Sequence, residues 1–204
     1  MRRHVSQARK TGPLHDWRQV WKSAGFPKSP VLHLCLWALS FVALAGCLGV
    51  PEGAEPVRGF EIDKYLGKWY EIARLDHSFE RGLSNVTAQY SLRDDGGVRV
   101  INRGYKTGNG QWDEAEGKAY FVDDKTTGKL KVSFFGPFYG AYNVIALDRQ
   151  DYQWSLVAGP DTGYLWILSR TPVLEKAIVD KLVAQAKSLG FETEDLIFVS
   201  QAQE

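Results

Sequence analysis

Between residues 67 and 170 the chain breaks into eight short runs rich in β-branched and aromatic residues, each bounded by turn residues. They are GKWYEIARL (67–75), NVTAQYSL (85–92), GVRVINRGY (97–105), EGKAYFV (116–122), KLKVSFF (129–135), AYNVIALD (141–148), YQWSLVAG (152–159) and YLWILSR (164–170). The pattern is clearest in the second run. There Val86, Ala88, Tyr90 and Leu92 share one face and Thr87, Gln89 and Ser91 the other, as a half-buried strand requires. DDGG at 94–97, KTGNG at 106–110, DDKTTG at 123–128, FGPF at 135–138 and GPDTG at 159–163 supply the turns between them. Alternation fails in LWIL (165–168), which is apolar on both faces, so another element must cover the outside of that strand. The following segment predicts one. Thr171 and Pro172 read as an N-cap and first helical position, Gly190 as a stop, and Leu174, Ile178, Leu182, Ala186 and Leu189 as one apolar stripe. DLIFVS (195–200) predicts a last short strand at an edge. Eight strands followed by one helix give an all-β antiparallel up-and-down barrel or a sandwich, and not a parallel βαβ fold.

The N-terminal part follows a different rule. Val31 to Ala45 is apolar except for His33 and Ser40, too short to span a bilayer as a helix and of the length of a signal-peptide apolar core. A buried core helix would carry a polar stripe, and this run has none. LAGC (Leu44 to Cys47) resembles the lipobox of bacterial lipoproteins, which implies cleavage after Gly46, a diacylglyceryl group on the sulfur and acylation of the new N-terminus. Cys47 is therefore the expected lipid attachment. Cys35 would leave with the leader, so no disulfide is expected in the mature chain. The leader, residues 1–46, is long for a signal and holds Trp17 and Trp21; either translation starts downstream or the leader is unusual, and the former is preferred although no internal Met offers a restart. Residues 47–60, rich in Gly, Pro and Glu, read as a lipidated N-terminus and flexible tether, and 61–204 as the folded domain.

Charge excludes one class of partner. The formal net charge of +1 hides an asymmetry: the leader takes seven of the 25 Lys/Arg and one of the 24 Asp/Glu. That leaves 18 basic and 23 acidic residues from Cys47 onward, a net of −5. A nucleic-acid binder needs a basic body, so no nucleic-acid partner is expected.

Over residues 60–200 the chain resembles a lipocalin, of the bacterial outer-membrane lipoprotein type that is similar to apolipoprotein D. LGKWYEIAR (66–74) matches the family's Gly-x-Trp signature, and GPDTGYLWILSR (159–170) its later blocks with the closing arginine. EGKAYF and KVSFFGPFYGAYNVIALD match the bacterial type almost continuously, while Ala158 stands where some relatives have cysteine. The resemblance implies an eight-stranded lipocalin barrel with one C-terminal helix outside. It also implies storage or transport of a fatty acid or lysophospholipid, or membrane maintenance, at the periplasmic face of a bacterial outer membrane. Leu48 after the cysteine favours the outer membrane, since Asp there would suggest inner-membrane retention.

Barrel geometry assigns the ends. Trp69 begins the first strand and Arg170 ends the eighth, so they meet at one end as a structural, barrel-closing cation–π pair. The loops at 76–84, 106–111, 135–140 and 159–163 fall at the other end and bring Phe79, Trp112, Phe138 and Tyr139 to an aromatic mouth suited to a small apolar ligand. Tyr90, Phe134, Tyr142 and Trp166 are candidate pocket-wall residues, with the inward face of each strand left open. No enzyme activity, metal or cofactor is expected. DHS (76–78) cannot converge as a triad, His77 reads as a solvated loop residue, and the pairs Asp94–Asp95 and Asp123–Asp124 read as turn formers. An envelope-remodelling hydrolase on a barrel scaffold and a structural or interaction module are the alternatives. A homodimer is left open.

Overall fold

The computed structural model describes residues 48–201; the leader and Cys47 lie outside that range. Eight antiparallel strands close into a barrel: β1 (Gly67–Arg74), β2 (Leu83–Leu92), β3 (Val98–Lys106), β4 (Gln111–Phe121), β5 (Lys129–Phe135), β6 (Phe138–Leu147), β7 (Trp154–Ala158) and β8 (Leu165–Ser169). Each pairs with the next, and β1 closes the ring by pairing with both β2 and β8. The strand count, the up-and-down order and the helix outside agree with the sequence expectation.

Two apolar clusters divide the molecule. Trp69, Tyr90, Val98, Val100, Ala119, Leu130, Val144, Val157 and Leu168 belong to the inner one. The outer one joins Leu156 and Ala158 of β7, Leu165 and Ile167 of β8 and Ile145 of β6 to Leu182, Ala186 and Phe191. This explains LWIL. Trp166 and Leu168 pack with the inner cluster, whereas Leu165 and Ile167 lie under the C-terminal helix. Each aliphatic side chain so buried stabilises the fold by about 1.5–3 kcal/mol.

That helix, α2 (Lys176–Ser188), follows α1 (Ile62–Tyr65), a single turn before β1. It starts later than expected, with Glu175 at its N-cap. Thr171 is drawn into a local turn instead: its hydroxyl donates to Val173 O at 2.7 Å and its N–H to Ser169 Oγ at 3.1 Å. The predicted stop is in place. Gly190 takes φ +83°, and the N–H groups of Gly190 and Phe191 reach the carbonyls of Lys187 and Ala186 in the pattern of a Schellman cap.

Two segments flanking the strands, 48–60 and 197–201, are stitched to the barrel. β9 (Ile197–Phe198) pairs with Ala73 and Arg74, while β2 pairs only with Gly67–Tyr70. Gln201 Nε2 then donates to Glu71 O and Val86 O, tying β1 to β2 where their ladder ends. Residues 48–60 are not a free tether. Val57 and Phe60 are buried, Val57 N donates to Val144 O at 2.8 Å, and Asn143 Nδ2 donates to Gly49 O at 3.0 Å. The Gly- and Pro-rich composition here serves a strap that follows the wall rather than a spacer.

Candidate functional site

One end of the barrel is sealed. Tyr65 of α1 packs between Phe60 (5.1 Å between ring centroids) and Trp69 (4.6 Å). Trp69 is fully buried and donates its indole N–H to Tyr65 O at 2.8 Å. Arg170 lays its guanidinium 4.0 Å from the Trp69 ring centroid. The same group donates to the carbonyls of Lys64 (2.6 Å), Lys68 (3.0 Å) and Tyr152 (3.2 Å). A planar fork of N–H donors suits this, since it can stack and bridge several carbonyls at once.

Above the plug lies a chain of hydroxyls. Tyr65 Oη meets Tyr142 Oη at 2.8 Å and Ser155 Oγ at 3.1 Å, and Tyr90 Oη meets Tyr142 Oη at 2.9 Å. Burial pushes the Tyr65 phenol up to about 12 and raises those of Tyr90 and Tyr142 as well, so all three stay neutral hydroxyls near neutral pH. The floor is thus polar and uncharged.

The wall is apolar with small residues set among large ones. Register places Tyr90 opposite Val100, Val100 opposite Gly117, Val98 opposite Ala119, and Phe121 and Tyr142 both opposite Leu130. Trp166 lies opposite Val157. All these side chains therefore share the inner face, and Phe134 and Val132 pack against the same cluster. Gly117 gives Phe134 its place: a Cβ there would stand 2.8 Å from the ring. Ala88, Phe121, Val132, Phe134, Tyr142 and Trp166 keep partial solvent access although they belong to this inner set.

Towards the open end the wall carries a buried ionic cluster. In a regular strand Glu71 and Arg74, three apart, would face opposite ways. A bulge between Glu71 and Ala73 adds one residue, so both face inward opposite Leu168 and Trp166. Arg74 donates to Glu71 Oε1 at 2.6 Å and to Glu80 O at 2.8 Å, and Trp166 Nε1 donates to Glu80 Oε2 at 2.9 Å. Burial raises both carboxyls. For Glu71 the nearby Glu80 adds to the rise and Arg74 opposes it; for Glu80 the Trp166 hydrogen bond and Arg74 oppose it. No pattern of spacing marks this cluster in the sequence, because its existence depends on the bulge.

The β1–β2, β3–β4, β5–β6 and β7–β8 loops frame the open end. Phe79 and Phe138 stand there largely exposed. His77, read from sequence as solvated, is instead buried: its ring stacks 5.3 Å from Phe79 and 4.9 Å from Tyr164, with Trp166 at 4.8 Å. Burial, helped by the Arg74 charge, brings its pKa down to about 4, so it is neutral over most of the pH range. Two other rings expected at the mouth point elsewhere. Trp112 lies opposite Tyr105, off the inner face that Val98 and Val100 define, and packs against Tyr105 (5.5 Å) and beneath Arg103 (4.2 Å). Tyr139 packs on the outer face with Tyr120 (6.4 Å) and the Lys131 ammonium (5.1 Å). Cys47 falls outside the described residues.

The profile of the lipocalin-like domain family matches residues 60–201, most of the chain. The chain belongs to the lipocalin family. Over 163 residues this lipocalin is 61% identical to the outer membrane lipoprotein Blc of Vibrio cholerae, covering 80% of the chain and 95% of the relative. It is 36% identical over 177 residues to bovine apolipoprotein D, covering 78% and 92%. Among solved structures, insecticyanin from the tobacco hornworm Manduca sexta superposes with a TM-score of 0.61 at 26% identity, covering 76% of this lipocalin and 88% of insecticyanin. An open-ended barrel with an apolar lining is the arrangement in which lipocalins bind or carry small apolar molecules.

Proposed function

We propose that this lipocalin is a membrane-anchored carrier of single acyl chains, fatty acids or lysophospholipids, held at the periplasmic face of a bacterial outer membrane by acylated Cys47. The observation that supports the ligand is the partly accessible inner set: Ala88, Phe121, Val132, Phe134, Tyr142 and Trp166 pack against the inner apolar cluster and keep partial solvent access. An acyl chain covers such a wall. The head group stays at the mouth beside Phe79 and Phe138, and Trp112 and Tyr139 brace the hairpins from outside rather than touch the ligand. The net charge of −5 from Cys47 onward gives no preference for a strongly anionic head over a zwitterionic one.

Burying a methylene contributes about 0.8 kcal/mol, so affinity should rise about four-fold per added carbon until the cavity is full, then level off. Titration of a fatty-acid and lysophospholipid series, followed by calorimetry, measures this. Affinity independent of chain length, or unchanged in Phe138→Asp, would refute the acyl pocket. The anchor rests on LAGC after the apolar run and on relatives named as outer membrane lipoproteins. Cys47→Ser should leave the barrel folded and release it from membranes, because more than one acyl chain is needed for stable attachment. Sedimentation after a high-salt wash checks it, and a Cys47→Ser protein that still pellets with outer membranes would rule the anchor out.

A further inference from the structure

The seam between β1 and β2 is only half closed by its own ladder. The two strands pair from Gly67↔Tyr90 to Tyr70↔Thr87 and no further. Just beyond, each carries a bulge. In β1 it lies between Glu71 and Ala73, and in β2, against β3, between Ser84 and Thr87, where Asn85 takes φ +49°. A bulge bends its strand and ends regular pairing, so two at one height part the strands towards the open end. Residues 197–201 fill the split. Phe198 and Ile197 pair with Ala73 and Arg74, Val199 N donates to Ile72 O at 2.9 Å, and Asn85 N donates to Ser200 O at 2.8 Å. Gln201 Nε2 bridges the carbonyls of Glu71 (2.8 Å) and Val86 (3.0 Å). Arg74 spans the same split from inside, donating to Leu83 O at 3.3 Å.

The inserted segment is lightly held. Ile197 and Phe198 are 39% and 61% exposed, and a groove of about 360 Å³ lies between Phe198 and Val199 on one side and Pro172, Val173 and Val179 on the other. A short ladder with few buried apolar contacts opens locally at a cost well below that of global unfolding. We propose that residues 197–201 are a latch on a lateral slit in the barrel wall. When they lift, the mouth extends down between β1 and β2 as far as the Tyr70–Thr87 pair. Arg74 keeps Glu71 and gives up Leu83 O, the longest of its bonds. An acyl chain then enters sideways, its head group outside the wall, instead of threading end-first through the mouth. That use of the slit rests on the acyl-carrier reading above; the opening itself does not.

Ala73 and Phe198 face each other at a non-hydrogen-bonded position, because Val199 N bonds Ile72 O beside them. Cα atoms in such a pair stand about 4.5 Å apart, within the range of a disulfide. The test uses the protein purified from membranes into lipid nanodiscs. It carries Ala73→Cys/Phe198→Cys, either reduced or oxidised to a cross-link verified by peptide mass. In the unsubstituted protein, the amides of Asn85 and Val199 should exchange hydrogen at least about ten-fold faster than those of the Gly67–Tyr70 ladder. The cross-link should slow them several-fold. Equal protection of the two sets without the cross-link overturns the latch. Loaded with the fluorescent fatty acid cis-parinaric acid, the oxidised form should exchange it for oleate several-fold more slowly than the reduced form, at unchanged affinity. Equal rates overturn the slit as an entrance. Gln201→Ala removes the bridge without adding thiols and should speed the exchange several-fold; a rate no faster than that of the unsubstituted protein also overturns it. A probe that binds neither form refutes the acyl-carrier reading instead, and hydrogen exchange then decides the latch alone.

Discussion

Arg74→Met is expected to destabilise the barrel by about 3–5 kcal/mol at pH 8, the range found when one partner of a buried ion pair is removed. Methionine keeps much of the volume, so the loss reports charge and hydrogen bonding more than packing. Arg74 is 1% exposed, is the guanidinium partner of Glu71 and holds the carbonyls of Glu80 and Leu83. Without it, two buried carboxyls share the upper wall with no cation. The loss should shrink as pH falls. Burial already raises the Glu71 carboxyl above its ordinary value, and Arg74 is the group that opposes this. Removing Arg74 raises it further, so the folded variant holds a proton that the unfolded chain releases, and its stability falls as pH rises above the ordinary carboxylate range. Urea unfolding at pH 8 and pH 5.5 reads the difference, and Glu71→Gln should recover part of the loss at pH 8. An equal loss at both pH values would reduce Arg74 to a packing residue.

Trp69→Ala should cost a similar amount, about 3–5 kcal/mol, because it empties a fully buried site at the sealed end. It also frees Tyr65 O of its indole donor and takes away the ring under Arg170. Arg170→Ala should cost less, about 1–2 kcal/mol, since its guanidinium is partly solvated and water can replace it at the carbonyls of Lys64 and Lys68. The double variant should lose less than the two single losses added together, because each single change already removes the stacked pair. Thermal unfolding measures the stabilities. Ligand affinity, measured where each variant is still folded, should fall less than stability in Arg170→Ala. Abolished binding with an unchanged melting temperature would move Arg170 from bracing to recognition.

The sequence by itself determined the elements and their order. Strand runs, turn chemistry and the helix stripe are local patterns, and eight strands before one helix leave an antiparallel barrel or a sandwich with something packed on LWIL (165–168), between which the family resemblance chose the barrel. Trp69 and Arg170 were also legible, since the parity of an up-and-down barrel places them at one end whatever the register. Tertiary structure decided everything that depends on pairing. A period of two separates the faces of a strand but does not say which face is inside, so Trp112 and Tyr139 went to the outer wall once β3–β4 and β5–β6 were in register. The bulge in β1 is one residue long and leaves no mark in composition, yet it alone puts Glu71 and Arg74 on the same face. His77 looked solvated because loops usually are; Phe79 and Tyr164, brought from two different loops, stack on either side of it. The strap at 48–60 looked flexible because it is rich in Gly, Pro and Glu, while its order comes from the burial of Val57 and Phe60 and from backbone and amide bonds to β6 and the β4–β5 loop far along the chain. Local chemistry sets which elements form; register and backbone hydrogen bonds between distant segments set which side chains meet.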